Sequence, residues 1–340
     1  MIKKNIKFSN SETTFYFDGN LSMVLDLAGE RPLVVITDEN IYEAHKRKFS
    51  KIDTIVMPAG EDYKVQATVD MIIEQLIEYK ADRNTLLVGV GGGVVTDVAG
   101  YVASVFMRGL PFGFVPTSLL AMVDAAIGGK NGIDVGIYKN MVGTIRQPEF
   151  LLYDYALLKT LPDLEWANGM AEVIKHAAIK DGAMFTLLAA KSLPFIKRNK
   201  AFQHKIIMRN VLLKAKVVQA DEFEKNERKL LNFGHTIGHA IENTLKIPHG
   251  HAVSIGMVYA AHLSSKMVRF KCSDRLIQLL EQYELPTHAA MDAQKVLDNI
   301  GKDKKRFGDE IHFVLLQRIG KAFIQPIPIT ELAKHLENTN

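Results

Sequence analysis

Residues Thr85–Gly100 read TLLVGVGGGVVTDVAG. A compact apolar run, Thr85 to Val90, leads straight into Gly91, Gly92 and Gly93. The spacing predicts a buried strand followed by a helix over Thr96 to Phe106. Three successive glycines let the backbone approach a ligand without a Cβ in the way. The helix start behind them offers N–H groups and a partial positive charge, which suits a pyrophosphate. A tight strand-to-helix packing turn has the same appearance, because Val94 stands where G-x-G-x-x-G would place its last glycine.

Outward from this turn the chain alternates strand-like and helix-like stretches. Thr14 to Phe17, Leu33 to Thr37 (LVVIT), Thr54 to Met57 and Gly113 to Val115 read as strands, and Val69 to Tyr79 as a helix. This βαβ rhythm implies a parallel sheet covered by helices. Asp38 follows the LVVIT strand, where a carboxylate can bond ribose hydroxyls. Glu61 and Lys64, within PAGEDYK (Pro58–Lys64), follow another strand. Charges at the ends of successive parallel strands fit the ligand crevice of an open α/β sheet, although each alone is an ordinary loop charge. After about residue 150 the pattern changes. From Pro162 onward apolar residues recur at three and four, and strand-like runs reappear only at His312 to Leu316 and Ala322 to Ile324. The expected organisation is an α/β domain over 1–150 and a mainly α-helical domain over 151–340.

The 340 residues are 47% apolar and 24% charged, a balance that supports a sizeable core. A net charge of +4 over this length is too weak to argue for nucleic acid. One cysteine, Cys272, excludes an intrachain disulfide and favours a reducing, cytoplasmic setting. The N-terminal MIKKNIKFSNSE has no apolar stretch after its lysines, and no apolar run is long enough for a membrane span, so neither a signal peptide nor a membrane is expected.

Leu231–Val253 (LNFGHTIGHAIENTLKIPHGHAV) holds His235, His239, His249 and His251. His235 and His239, at i and i+4, share a helix face; His249 and His251 fall on what reads as a loop. Neutral imidazoles are good zinc ligands, and three protein ligands with an open position define a catalytic site. Glu172, in GMAEVIK, is the best carboxylate to complete the set, since an acid on an otherwise apolar helix face needs a partner. Lys175 follows one turn on. A histidine pair alone is more often packing or surface. Arg108, Lys130, Lys139, Lys214, Arg228, Lys304 and Lys305 are each ordinary in isolation. Arg108 and Lys130 flank the apolar PTSLLAMVDAAIGGK with its Asp124, and Lys139 precedes Asn140 in a glycine-bordered loop, both plausible anion contacts.

Together these segments resemble the 3-dehydroquinate synthases, over nearly the whole chain. The resemblance is carried by PAGEDYK, GGGVVTDVAGYVAS, RGLPFGFVPTSLLAMVDAAIGGKNGID, KNMVGT with Gln147 and Pro148, LKTLP, GMAEVIKHA, LKAKVVQADEFEKNERKLLNFGHTIGHAIE and the late DKK. It implies a homodimer in which a Rossmann-like nucleotide-binding α/β domain precedes a mainly helical metal- and substrate-binding domain. It implies Glu172, His235 and His249 as ligands of a divalent metal, zinc or cobalt, with His239 handling a proton near the leaving phosphate. NAD would contact Asp38, Glu61, Lys64, Gly92, Gly93, Asp97, Thr117, Ser118, Lys139 and Thr160. Lys130, Asn140 and one of Lys304 or Lys305 would hold the substrate phosphate, joined by Arg108 from the partner subunit. Lys214, Arg228 and Asn232 would hold the substrate carboxylate, and Asp124 and Lys175 its hydroxyls. His251 stands where the family usually has glutamate, Asn131 and Asp134 where it has threonine and asparagine, and Ser118 where it has threonine.

The reaction so implied is a lyase of the shikimate pathway. It converts 3-deoxy-D-arabino-heptulosonate 7-phosphate to 3-dehydroquinate and phosphate by transient oxidation with NAD, phosphate elimination, reduction and intramolecular aldol closure. A sister cyclase making 2-deoxy-scyllo-inosose or a valiolone would have no reason to keep Lys214, Arg228 and Asn232. A net alcohol dehydrogenase of the glycerol dehydrogenase type would share the glycine turn and the metal but release NADH. A non-catalytic nucleotide-binding relative would not keep ligands, cations and glycine turn together.

Overall fold

The computed structural model describes residues 1–136, 138–290, 306–307 and 310–337. They fall into two compact units, Met1–Trp166 with Ile207–Phe223, and Ala167–Ile206 with Glu224–Asn340.

In the first unit the strands are β1 (Ile2–Lys7), β2 (Glu12–Phe17), β3 (Leu33–Asp38), β4 (Asp53–Met57), β5 (Leu86–Gly91), β6 (Phe112–Pro116), β7 (Lys130–Val135), β8 (Tyr138–Ile145) and β9 (Phe150–Tyr153). Among them run the helices α1 (Met23–Ala28), α2 (Glu39–Phe49), α3 (Gln66–Glu78) and α4 (Gly93–Val105). Seven strands form one sheet in the order β1-β2-β9-β6-β5-β3-β4, parallel throughout except for β1 against β2. The parallel sheet is as the βαβ rhythm implies. Every residue of β5 is buried, which is why it reads as an unbroken apolar run rather than an alternation. On one face Leu86, Val88 and Val90 pack with Leu21, Val35, Val115 and Leu152. On the other, a Cβ at Gly89 would come within 2.9 Å of the Ala99 Cβ, so α4 lies against bare backbone there.

The chain leaves β3 toward β4 at one edge, and leaves β5 toward β6 in the opposite direction. The carboxyl ends of β3 and β5, side by side, therefore form a topological switch point, the usual place for a ligand in such a sheet. Asp38 ends β3 and the three glycines close β5 and open α4. Lys139 and Asn140, expected in a loop, belong to strand β8, which pairs with β7 as a separate two-stranded hairpin.

The second unit is mainly helical. Its helices, two of them shared with the first unit, are α5 (Asp163–Lys180), α6 (Gly182–Ala189), α7 (Leu193–Arg198), α8 (Lys200–Ala220), α9 (His235–Leu245), α10 (His249–Val268) and α11 (Ser273–Gln282). A three-stranded antiparallel sheet follows, β10 (Arg306–Phe307), β11 (Glu310–Arg318) and β12 (Lys321–Pro328), and then α12 (Ile329–Glu337). The division between the units falls inside α5 and inside α8. His249 and His251 do not lie on a loop; they open α10. Pro248 before them has no N–H to lose at a helix start, and the run from Ala252 to Met257 is buried on every side.

Helices α9 and α10 meet backbone to backbone. A Cβ at Gly256 would fall 1.9 Å from the Gly234 carbonyl oxygen and 2.8 Å from the Gly238 nitrogen. No side chain can yield there, so the helices themselves would have to part. Gly256→Ala is expected to lower stability by about 1–3 kcal/mol through overpacking. Differential scanning calorimetry measures it, and an unchanged Tm would show that the helices separate without cost.

Candidate functional site

Glu172 sits in the middle of α5 with no solvent exposure. A buried carboxylate requires compensating positive charge. Lys175, one turn on and 1% exposed, forms an ion pair with its Oε2. Toward Oε1 come the Nε2 atoms of His235, at 3.6 Å, and His249, at 3.7 Å. These distances are long for hydrogen bonds. They match the spacing, about 3.4 Å, of ligand atoms placed tetrahedrally around one zinc at bonds of roughly 2.0–2.2 Å. Ligand atoms from all three side chains lie within 4.8 Å of one another.

The far side of each ring is held by an oxygen. His235 Nδ1 lies 3.2 Å from the Phe233 carbonyl, and His249 Nδ1 lies 3.1 Å from Glu242 Oε2. An acceptor at Nδ1 fixes the tautomer that leaves the Nε2 lone pair for a metal, the usual support of a ligating histidine. Burial pulls His249 down, but the nearby carboxylates of Glu172 and Glu242 outweigh that and push its pKa up to about 9. Glu242 was not singled out from the sequence. It sits three residues after His239 and seven after His235 on α9, the same helix face, and that spacing was its signal. The His239 ring is 5.1 Å from that of His235 and 6.0 Å from that of His249. Asn168 fixes the start of α10, its Oδ1 accepting from the Gly250 N–H. Arg228 is buried, and Asn232 Nδ2 donates to Glu224 Oε1 at 2.7 Å.

In the first unit, the switch point gathers a different set. Asp38 Oδ1 accepts from the Ile41 N–H at 2.9 Å and so caps α2, while burial raises its pKa. A Cβ at Gly91 would collide with the Val95 side chain at 2.5 Å, so that glycine answers to packing. At Gly92 a Cβ would meet only Ser118 Oγ, at an ordinary 3.6 Å. Packing within the chain therefore does not demand glycine at 92, and the N-terminus of α4 carries no side-chain cap. That is the geometry of a cradle for an anionic ligand. Thr117 and Ser118 follow β6, with Thr117 N–H on the Gly91 carbonyl at 2.9 Å. Thr160 follows β9, and its Oγ1 lies 3.0 Å from His45 Nε2. Glu61 follows β4.

Lys64 is 4% exposed and joins several of these groups. Its Nζ is 2.5 Å from Asp97 Oδ2 and 2.6 Å from Asn140 Oδ1. Burial pulls the ammonium down, yet Asp97, Glu61 and Asp134 together hold its pKa above the ordinary value. Lys139 lies 3.7 Å from Glu61, and Lys214 Nζ bonds Asp124 through both its carboxylate, at 2.6 Å, and its carbonyl, at 2.7 Å. Lys130 and Arg108 are exposed. Arg108 and Met107 before it both hold positive φ, 66° and 48°, a costly pair for residues with side chains. Lys304 and Lys305 lie outside the described residues.

Known proteins resemble this chain throughout. Residues 54–168 match the family described as 3-dehydroquinate synthase N-terminal, and 169–306 its C-terminal counterpart. A 3-dehydroquinate synthase of Pyrococcus abyssi is 43% identical over 81% of both chains, and one of Coxiella burnetii 36% identical over 98% of both. This chain belongs to the 3-dehydroquinate synthase family. A crystal structure of 2-deoxy-scyllo-inosose synthase with carbaglucose-6-phosphate, NAD+ and Co2+ is also similar, with a TM-score of 0.87 at 26% identity over 99% of this chain and all of that one. Sister cyclases thus share the fold, and the higher identities decide the family. Of the departures from the 3-dehydroquinate synthase pattern, Asn131 ties its hairpin down, its Nδ2 donating to the Gly129 and Arg146 carbonyls at 2.9 and 3.0 Å. Ser118 Oγ accepts from the Ala121 N–H at 3.2 Å. Nothing in the structure accounts for histidine at 251.

Loss of an outer partner of a metal-bound histidine typically weakens metal binding by about 10–100-fold. Glu242→Gln is expected to do so here, measured by competition for zinc against a chelator of known affinity. Wild-type affinity in that variant would mean that Glu242 does not orient His249.

Proposed function

We propose that this chain converts 3-deoxy-D-arabino-heptulosonate 7-phosphate to 3-dehydroquinate and phosphate as a phosphate-eliminating lyase of the shikimate pathway, using NAD and a zinc or cobalt ion. The observation that carries the reading is the convergence of His235 Nε2 and His249 Nε2 on a buried Glu172 oxygen, in a chain 43% identical to a 3-dehydroquinate synthase. The donor set, two imidazoles and a carboxylate, fits zinc or cobalt and leaves room for substrate oxygens. When bound, the metal supplies Lewis acidity toward an alkoxide and NAD a transient hydride acceptor, so the reaction has no net redox change.

The chain's own residues bind and orient. Gly92, Gly93 and the open end of α4 receive the pyrophosphate, with Asp38 toward ribose and Lys64, Asp97, Glu61, Thr117, Ser118, Lys139 and Thr160 around the cofactor. Glu172, His235 and His249 hold the metal, and Lys175, paired with Glu172, contacts a substrate hydroxyl. His251 is not a ligand in this reading. Lys130 and Asn140 receive the substrate phosphate, His239 handles a proton beside it, and Asp124 contacts a hydroxyl. Lys214 and Arg228 are cations for the substrate carboxylate, with Asn232 as a further donor; such charge-assisted bonds fix one pose of the substrate. The active form is a homodimer in which Arg108 serves the partner subunit. Supporting this, the β7–β8 hairpin exposes Val135, Tyr138, Met141, Val142 and Ile145, more apolar surface than a lone hairpin needs. Among the described residues no helix is long and apolar enough to cross a membrane. The single cysteine is in keeping with a cytoplasmic enzyme.

Incubated with NAD and the heptulosonate phosphate, the protein is expected to release phosphate and dehydroquinate one for one with no lasting NADH. Accumulating NADH would instead indicate a net dehydrogenase. Chelation should abolish turnover and zinc or cobalt restore it; full turnover in protein shown metal-free by elemental analysis would remove the metal from the reaction. Arg228→Ala is expected to raise KM for the heptulosonate phosphate by roughly ten- to a hundredfold, from the loss of a charge-assisted bond worth about 1.5–3 kcal/mol. A KM equal to wild type would shift the reading toward a sister cyclase whose substrate has no carboxylate.

A further inference from the structure

Asn140 holds φ at +52°, a left-handed conformation uncommon for a residue with a side chain. Two bonds impose it. Asp134 Oδ1 accepts from the Asn140 backbone N–H at 2.6 Å, and Lys64 Nζ donates to Asn140 Oδ1 at 2.6 Å. Asp134 is itself anchored, since its backbone N–H donates to the Lys64 carbonyl at 2.8 Å. Asp134 is 9% exposed and Lys64 4%. A buried acid and a buried base thus grip one exposed asparagine, the acid by its backbone and the base by its side chain.

The grip has a chemical consequence. With Oδ1 of Asn140 accepting from Lys64, the group its amide can offer an anion is the Nδ2 donor. The turn, set by Asp134, decides where that donor points. The family pattern has asparagine at 134, which also carries an acceptor oxygen; the carboxylate here makes the bond charge-assisted and so stronger. It also places a negative charge facing Lys64 and Lys139, with Glu61 nearby.

We propose that Asp134 is a positioning residue for phosphate recognition, acting through Asn140, which it holds in the left-handed conformation. The inference rests on the reading of Asn140 as a phosphate contact. A mere staple of the hairpin would use the same bond, so the test needs a readout that a staple does not move. Three variants are compared in the whole protein with NAD and metal present: Asp134→Ala, Asp134→Asn and Asn140→Ala. Asp134→Ala is expected to raise KM for the heptulosonate phosphate, and Ki for inorganic phosphate, about tenfold, with kcat within about threefold. It should also speed hydrogen exchange at the Asn140 amide. Asp134→Asn keeps an acceptor and should stay within about threefold of wild type on all of these. Should Asp134→Ala not fold, Asp134→Val, suited to a strand and without an acceptor, carries the same expectation. Equal losses of kcat and Tm in the alanine and asparagine variants would overturn the proposal in favour of a staple. So would a raised KM in Asn140→Ala alone, with Asp134→Ala unchanged. An unchanged KM in Asn140→Ala would sink the phosphate reading of Asn140 and the proposal with it, while the exchange data would still report whether Asp134 holds the turn.

Discussion

The second unit is organised around one buried negative charge. Taking a carboxylate wholly out of water costs several kcal/mol unless positive charge comes with it. Lys175 supplies part of that charge from the same helix. Across from it, α9 and α10 bring two imidazoles that stand off Glu172 by a span suited to a divalent cation, which would supply the rest. Everything that brings those helices close serves this requirement, from the bare backbone of Gly234, Gly238 and Gly256 to the Asn168 bond that fixes the start of α10. A carboxylate here is also what makes the site suit a divalent ion rather than a proton alone, because it offsets part of the ion's charge while leaving Lewis acidity for oxygen ligands.

The first unit solves the converse problem. One of its buried charges is the ammonium of Lys64, offset by Asp97 and, at longer range, by Glu61 and Asp134. The compensation is distributed over a strand end, a helix and a hairpin, so this one lysine ties together groups far apart in sequence. The groups so tied lie at the end of the sheet where its strand order reverses, beside the uncapped start of α4.

Most strands of the parallel core were legible because burial on both faces leaves a continuous apolar signature, as in LVVIT and TLLVGV; β9 (FLLY), equally buried, was not read because four residues are too short to set it apart. The edge strand β1 and the hairpin strand β8 were not, because IKKNIK and YKNMVGTI are largely exposed and their composition says little about pairing. Among candidate site residues, Glu172 and the four clustered histidines stood out by residue type and spacing, and the family resemblance narrowed the ligands to Glu172, His235 and His249. Glu242 did not stand out, since a glutamate on a helix is ordinarily a solvated one; its spacing from His239 and His235 is a weak signal that its burial and its bond to His249 make plain. The loop expected around His249 proved to be a helix start, because the histidines and Gly250 masked the apolar run that begins at Ala252. Nor does any local pattern announce that Ile207–Phe223 belongs with the first unit, for that depends on distant contacts such as Lys214 with Asp124, 90 residues earlier.

That return of the chain has a consequence for synthesis on the ribosome. The first unit is interrupted by Ala167–Ile206 and ends only at Phe223. When the sheet has emerged, the stretch that supplies Lys214 to Asp124 has not, and an inserted segment from the second unit must come out before it. Folding domain by domain from the N-terminus, the common route for multidomain chains, is thus closed to this protein in its simplest form. The nascent first unit waits for a helical stretch of its own that follows the inserted segment, and a shortened gene ending near residue 166 would encode a unit lacking one of its own parts.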